Sequence, residues 1–211
     1  MTSGQRIIAV DGPTASGKGT IAKALAAHFG LPHLDTGLLY RAVGHQCALN
    51  RGNPDDPAAA LAACAFPDAL LADPALRTEE TGGLASRVSV HHDVRQALYH
   101  RQRAFATQPG GAVLDGRDIG TVIAPEAGAK LFVTASVGAR AARRFLEMQA
   151  RGLHVTLDAI EADLTLRDER DRTRKEAPLV AAPDAIVLDN SDLSAEASIH
   201  AAIRLVERAL G

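Results

Sequence analysis

Short, continuous apolar runs alternate along the chain with longer stretches of helical periodicity. The runs are Ile7–Val10, Ala112–Leu114, Leu131–Val133 and Ala185–Leu188. Strands in a parallel sheet with helices on both faces have this pattern, because neither face meets water. Between the runs, the spacing predicts helices over Lys18–Phe29, Leu38–Arg51, Val94–Phe105, Ala139–Arg151, Leu157–Arg174 and Ala195–Leu210. The last has Ser194 as its N-cap and an apolar stripe at Ile199, Ile203, Val206 and Leu210. Strand-then-helix alternation predicts a doubly wound α/β domain. Two stretches break the rhythm. Residues 52–83 carry Pro54, Pro57, Pro67 and Pro74 around one Ala-rich helical patch, which suggests an inserted lobe or a wandering loop. Residues 151–182 are dense in arginine and run into Pro178 and Pro183, which suggests a mobile helical lid.

The stretch Gly12-Pro13-Thr14-Ala15-Ser16-Gly17-Lys18-Gly19-Thr20 lies between the first strand and the first helix. It has the form of a glycine-rich phosphate cradle. Backbone N–H groups turn inward, the helix N-terminus adds positive potential, and Lys18 reaches the β- and γ-phosphates. The position after the lysine is Gly19, where the commoner pattern has a hydroxyl. Thr20 is one residue further on and can approach a phosphate-bound Mg²⁺ if the loop tightens. Mg²⁺ keeps most of its waters and needs few protein ligands. Asp115, closing the run Ala112–Leu114, is a second metal candidate, although a strand-end aspartate also serves as a cap or turn former.

Composition narrows the choices without naming a reaction. The chain has 211 residues, is 46% hydrophobic and has a net charge of −2, so bulk charge favours neither nucleic acid nor an acidic membrane surface. Its longest apolar run, Ala58–Phe66, is too short to span a bilayer. Cys47 and Cys64 lack CxxC spacing, and the segment from Met1 to Arg6 has no leader-like character, so the expected home is the cytoplasm. The eight histidines show no metal-ligand spacing.

Three arginine-bearing segments bear on what receives the phosphate. In Leu34-Asp35-Thr36-Gly37-Leu38-Leu39-Tyr40-Arg41, Asp35 or Thr36 can cap a helix that places Tyr40 and Arg41 beside one groove, or Arg41 can simply be solvated. Asp115-Gly116-Arg117-Asp118 follows a strand end, where α/β folds gather their ligands. Arg167, Arg170 and Arg174 share one helix face among Asp168, Glu169 and Asp171, either as a salt-bridged solvated helix or as a lid that stabilises a transferring phosphoryl group. Together they suggest a kinase with an anionic acceptor. A phosphate acceptor needs no general base, only several arginines to neutralise repulsion.

These residues resemble those of the bacterial cytidylate kinases, a branch of the nucleoside monophosphate kinases. The resemblance runs nearly end to end, through GPTASGKGT, LDTGLLYR, VRQALYHRQRAF, DGRDIGTV, RDERDRTR and APLV. It implies a P-loop nucleoside monophosphate kinase fold, with a five-stranded parallel sheet flanked by helices. The implied core is residues 1–35, 108–150 and 183–211, with a monophosphate-binding lobe over 36–107 and a helical lid over 151–182. The lobe's β-rich insertion is curtailed to 52–83. The implied reaction moves the γ-phosphate of ATP to CMP or dCMP with Mg²⁺, in a monomer, with neither nucleic acid nor membrane as partner. Residues 12–20 would hold ATP, and Thr36 and Tyr40 would border CMP. Arg41, Arg117 and Arg174 would grip its phosphate; Ser86, Arg95 and Asp118 would read cytosine. Arg167 and Asp171 would lie near the sugar, and Arg170 would act at the transferring group. A kinase for UMP and an ATP-binding switch without an acceptor are the competing readings.

Overall fold

The computed structural model describes residues 6–211; the leader-free reading of the first five residues lies outside them. Five strands form one parallel sheet in the order β2-β3-β1-β4-β5. They are β1 Arg6–Asp11, β2 His33–Asp35, β3 Gly111–Gly116, β4 Ala129–Thr134 and β5 Ile186–Asp189. Four of them coincide with the apolar runs. β2 does not, because a three-residue strand holding a histidine and an aspartate has no apolar run to detect.

The alternation of side chains across β1 shows why the runs are continuous. Ile8 and Val10 pack on one face with Ile21 and Leu25 of α1 (Lys18–Phe29) and with Ala202 and Val206 of α8 (Ala195–Leu210). Ile7 and Ala9 pack on the other face with Leu114, Ile119 and Ala106. Both faces are dry, so every position is apolar. Ser194 caps α8 by accepting the Ala197 N–H at 3.1 Å.

The proline-broken stretch is an ordered lobe rather than a wandering loop. Ala60 of α3 (Pro57–Ala62), Phe66 and Leu76 are buried against Leu39 and Val43 of α2 (Thr36–Leu49) and against Val94 and Leu98 of α5 (His92–Ala106). A further helix, α4 (Glu79–Val88), was not marked by the periodicity. Gly82 and Gly83 lower its helical propensity, and only Thr81, Gly82 and Val88 of it are buried. α4 crosses α2 closely. A Cβ on Gly44 would stand 2.8 Å from the Leu84 Cβ, so only glycine admits the crossing.

The arginine-dense stretch forms α7 (Leu157–Thr173), which packs beside α6 (Val137–Ala150) through Ile160, Leu164, Ala141 and Met148. Arg174 does not continue the helix. It is the C-cap with extended ψ, and so turns away from the row that the i, i+3, i+7 spacing predicts. Among the described residues, no helix is long and apolar enough to cross a membrane.

Candidate active site

The cradle lies where β1 gives way to α1, at the carboxyl edge of the sheet. Gly12 permits the close approach there: a Cβ would meet the Val133 carbonyl oxygen at 2.1 Å. Gly17 caps α1 in the left-handed region, with φ 83°. Ala15 also has a positive φ, 61°, unusual for a residue with a side chain. Lys18 Nζ folds back to donate to the Pro13 carbonyl at 3.1 Å. Burial, with help from the Arg117 charge, lowers the Lys18 ammonium to about 7, so the site stores a demand for an anion. The Ser16 hydroxyl is buried and has no hydrogen-bond partner.

One cavity of about 660 Å³ connects this cradle to the arginines of the other segments, a volume inside the range of about 300–1,000 Å³ typical of ligand sites. Thr14, Ala15, Lys18 and Gly19 form its cradle wall, while Thr36, Tyr40, Arg41, Ser86, Arg95, Arg117, Asp118, Arg167, Asp171 and Arg174 also line it. The expected substrate residues therefore meet in one place, drawn from α2, α4, α5, the loop after β3 and α7. Asp35 caps α2 by accepting the Leu38 N–H, and Thr36 Oγ1 donates to the Asp115 carbonyl at 2.8 Å, which seats α2 against β3.

Positive charge is concentrated along one wall. Arg41 Nη1 donates to the carbonyls of Leu76 and Thr78, both at 2.9 Å. Burial and the nearby Arg167 charge lower Arg41 to about 10. Gly82 makes that crowding possible, since a Cβ there would lie 3.0 Å from both Arg167 Nη1 and Arg41 Nη2. Arg174 Nη2 is buried without a hydrogen-bond partner. Arg167 pairs with Asp163 at 3.0 Å, and Arg174 lies 3.9 Å from both Asp118 and Asp171, whereas Arg41 meets only carbonyls, so these guanidinium groups keep donors free for an anion in the cavity.

At the far end, buried Arg95 donates to Asp118 Oδ2 and stands 5.6 Å from the centre of the Tyr40 ring. Asp118 Oδ1 is 3.9 Å from Arg174 Nη2, too far for a hydrogen bond, and remains open to a donor. Arg117 links the two ends. Its Nη2 donates to Thr14 Oγ1 at 2.6 Å and its Nε to Asp171 Oδ2 at 2.7 Å. Burial opposes ionisation of Asp171, but the charge and hydrogen bond of Arg117, with the charges of Arg174 and Lys18, together hold the carboxyl below its ordinary value.

Six expected residues do not line the cavity: Gly12, Pro13, Ser16 and Gly17, which form the body of the cradle loop, and Thr20 and Arg170. Thr20 is exposed on the first turn of α1 and forms no part of the cavity wall. Arg170 is likewise absent from the wall; its Nη1 donates to Ser86 Oγ at 2.9 Å and ties α7 to α4. Asp115 is buried with Oδ1 held 2.6 Å from His33 Nε2, and its Oδ2 is 3.7 Å from where a Gly19 Cβ would be. That free oxygen at the cradle suits a metal held largely through waters, whereas an all-protein cage is absent among the described residues.

Other residues carry the site without having been singled out. Asp11 accepts the N–H groups of Ile119 and Gly120, both at 2.8 Å, and so fixes the loop bearing Arg117 and Asp118. Burial pushes its carboxyl up to about 7. Arg144 lines the cavity and pairs with Glu79 of α4. Asn190 Nδ2 donates to the Ser16 carbonyl at 2.9 Å. Asp11 immediately precedes the cradle in sequence, which was a usable signal; Arg144 and Asn190 had none, since each acts across a long sequence separation.

The sheet order, the cradle and the arginine wall facing it define a kinase of the P-loop nucleoside monophosphate kinase fold. A structure titled as an uncharacterized protein from Eubacterium ventriosum superposes with a TM-score of 0.56 at 16% identity, covering 97% of this chain and 99% of its own, and so shares the fold. The family model described as cytidylate kinase matches residues 8–208, and the chain belongs to that family. It is 55% identical to the cytidylate kinase of Azorhizobium caulinodans, over 97% of this chain and all of that protein. It is also 55% identical to that of Xanthobacter autotrophicus over 95% of this chain and 97% of the relative, and 54% identical to that of Rhodopseudomonas palustris strain HaA2 over 95% of each.

Proposed function

We propose that the chain transfers the γ-phosphate of ATP to CMP or dCMP, giving ADP and CDP or dCDP. The observation that carries this reading is the single cavity with the cradle at one end, the Arg95–Asp118 pair at the other, and arginines between. Cytosine offers an N4 amino group to the open Asp118 oxygen, while its O2 and N3 accept from Arg95 or Ser86. Arg41, Arg117 and Arg174 take the acceptor phosphate, and Arg167 and Asp171 border the sugar. No general base is needed, because the acceptor's second ionisation, with a pKa of about 6, has mostly taken place near neutral pH. Lys18 and the cradle N–H groups hold the donor, and Arg117, bonded to Thr14, lies where the two phosphates meet. Arg170 acts through its bond to Ser86, which keeps α7 against the base end. Mg²⁺ would be held by Asp115 through waters and phosphate oxygens, where it supplies charge neutralisation. The net charge of −2 gives no pull toward nucleic acid or an acidic membrane surface, and the free cysteines suit the cytoplasm.

The test is ADP formation with CMP, dCMP, UMP, AMP and GMP. Preference for CMP and dCMP supports the reading. A preference for UMP, AMP or GMP overturns the base assignment, and ATP binding with no turnover of any monophosphate identifies a switch. Asp118→Ala sharpens the result. It is expected to raise the KM for CMP by about 10–100-fold and to narrow the CMP-over-UMP ratio, with the KM for ATP little changed. An unchanged ratio removes Asp118 from base recognition.

A further inference from the structure

Arg140 is among the largest fully buried side chains, with 1% exposure, and it does not line the cavity. Its guanidinium joins three separate segments. Nε donates to the Ala135 carbonyl beyond β4 at 3.0 Å. Nη1 donates to the Thr14 carbonyl of the cradle at 2.9 Å. Nη1 and Nη2 together grip the carboxylate of Asp168 on α7, at 3.1 and 2.5 Å. Asp168 is itself only 3% exposed, and its next cation, Arg172, is 4.0 Å away. We infer that Arg140 and Asp168 are positioning residues for phosphoryl transfer: they lock the cradle loop and the α7 lid helix into one arrangement, so that the donor cradle is correctly shaped only when α7 is docked.

The peptide linking Thr14 to Ala15 shows how the coupling works. In a trans peptide the C=O of one residue and the N–H of the next point in opposite directions. Holding the Thr14 carbonyl on Arg140 therefore aims the Ala15 N–H the other way, into a loop whose Ala15 lines the cavity. Ala15 is held at φ 61°, a conformation that a residue with a Cβ keeps only when its surroundings enforce it. Thr14 is also held at its other end. Its hydroxyl accepts from Arg117, whose counterion Asp171 lies one turn beyond Asp168 on α7. Two arginines thus run in parallel from Thr14 to α7, one inside the cavity and one outside it. The inner one meets substrate; the outer one has only a positioning task. If α7 swings away, Arg140 loses its buried counterion, a state far costlier than the pair. The cradle carbonyl then loses a partner fixed in place.

The inference rests on the kinase reading above, and the experiment separates the two: wild type that fails to phosphorylate CMP defeats that reading, whereas active wild type with unaffected variants defeats only this one. Asp168→Asn, Arg140→Lys and the double variant Arg140→Met/Asp168→Leu are measured for kcat, both KM values, thermal midpoint and hydrogen exchange of the 157–173 amides with and without ATP. The apolar pair removes the charges without stranding either, so it is expected to fold even if a single variant does not. The expected result is a kcat loss of about 30-fold or more per folded molecule in the double variant and in Asp168→Asn, with both KM values within about threefold. Arg140→Lys keeps the charge but not the planar fork, and is expected to recover stability without recovering kcat. ATP is expected to slow exchange in 157–173 in wild type but not in the double variant. The inference is overturned if the double variant keeps kcat within about twofold. It is equally overturned if lysine at 140 restores kcat along with stability, which a purely structural ion pair would allow, or if ATP protects 157–173 equally in both proteins.

Discussion

The cradle and the acceptor pocket face each other across one cavity and meet phosphate by opposite means. The cradle is nine consecutive residues, Gly12 to Thr20, whose donors are mostly backbone N–H groups at a helix N-terminus. The acceptor pocket is built from side chains of α2, α4, α5, α7 and the loop after β3. A backbone cradle is fixed by local conformation and is indifferent to the base attached to the phosphate. A side-chain pocket is fixed by packing, and its chemistry at the Arg95–Asp118 end can discriminate one base from another. The contrast predicts that donor binding and acceptor selection can be damaged separately.

The largest expected effect breaks the donor side alone. Lys18→Ala should lower kcat by about 10²–10³-fold, since it removes a positive charge from the transferring phosphate, while the KM for CMP changes little. Steady-state kinetics with each nucleotide varied will check this. Near-wild-type kcat overturns the role given to Lys18.

A pH profile gives the next effect. Burial sets the Lys18 ammonium near 7, against an ordinary 10.5. Between those values the unfolded chain holds a proton that the nucleotide-free protein has released. This group therefore makes the free protein more stable as pH rises through that window. ATP binding runs the other way, because phosphates favour the protonated amine. The kcat/KM for ATP should fall by up to about tenfold per unit above about pH 7 at saturating CMP, with kcat nearly flat. Calorimetry in two buffers at about pH 8 should show proton uptake on ATP binding. A flat kcat/KM profile shows that Lys18 is charged before ATP arrives.

The smallest effect tests the acceptor side. Gly82→Ala places a Cβ 3.0 Å from the ends of Arg41 and Arg167. Those ends give way, and the KM for CMP should rise by about three- to tenfold, with the KM for ATP unchanged. Alanine is also the better helix residue by about 1 kcal/mol. The variant should therefore melt no lower than wild type while binding CMP more weakly. Equal KM values for CMP would show that Gly82 is needed only for packing.

Legibility in the sequence follows the same divide. The cradle was visible because its residues are contiguous and its glycines answer to local geometry. Four strands were visible because continuous apolar runs record burial on both faces. β2 was hidden by its length, and α4 by its paired glycines, which lower helix propensity while Gly82 leaves room for the ends of Arg41 and Arg167. Thr20 was placed at the metal by counting along the motif, and the turn of α1 leaves it facing solvent. The role of Arg170 at the transferring group comes from the family resemblance, and its sequence position carries no sign of the bond to Ser86 that the fold gives it.

The sequence by itself determined the cradle, the strand–helix alternation and the supply of arginines, because propensity, glycine geometry and hydrophobic period act over a few residues. Only the tertiary structure decided which arginines face the cavity, which carboxylate each one meets, and that Arg140 joins the cradle to α7. Those choices arise from burial. A guanidinium taken out of water must find an anion or a carbonyl across the fold, and sequence distance does not say which one it will reach.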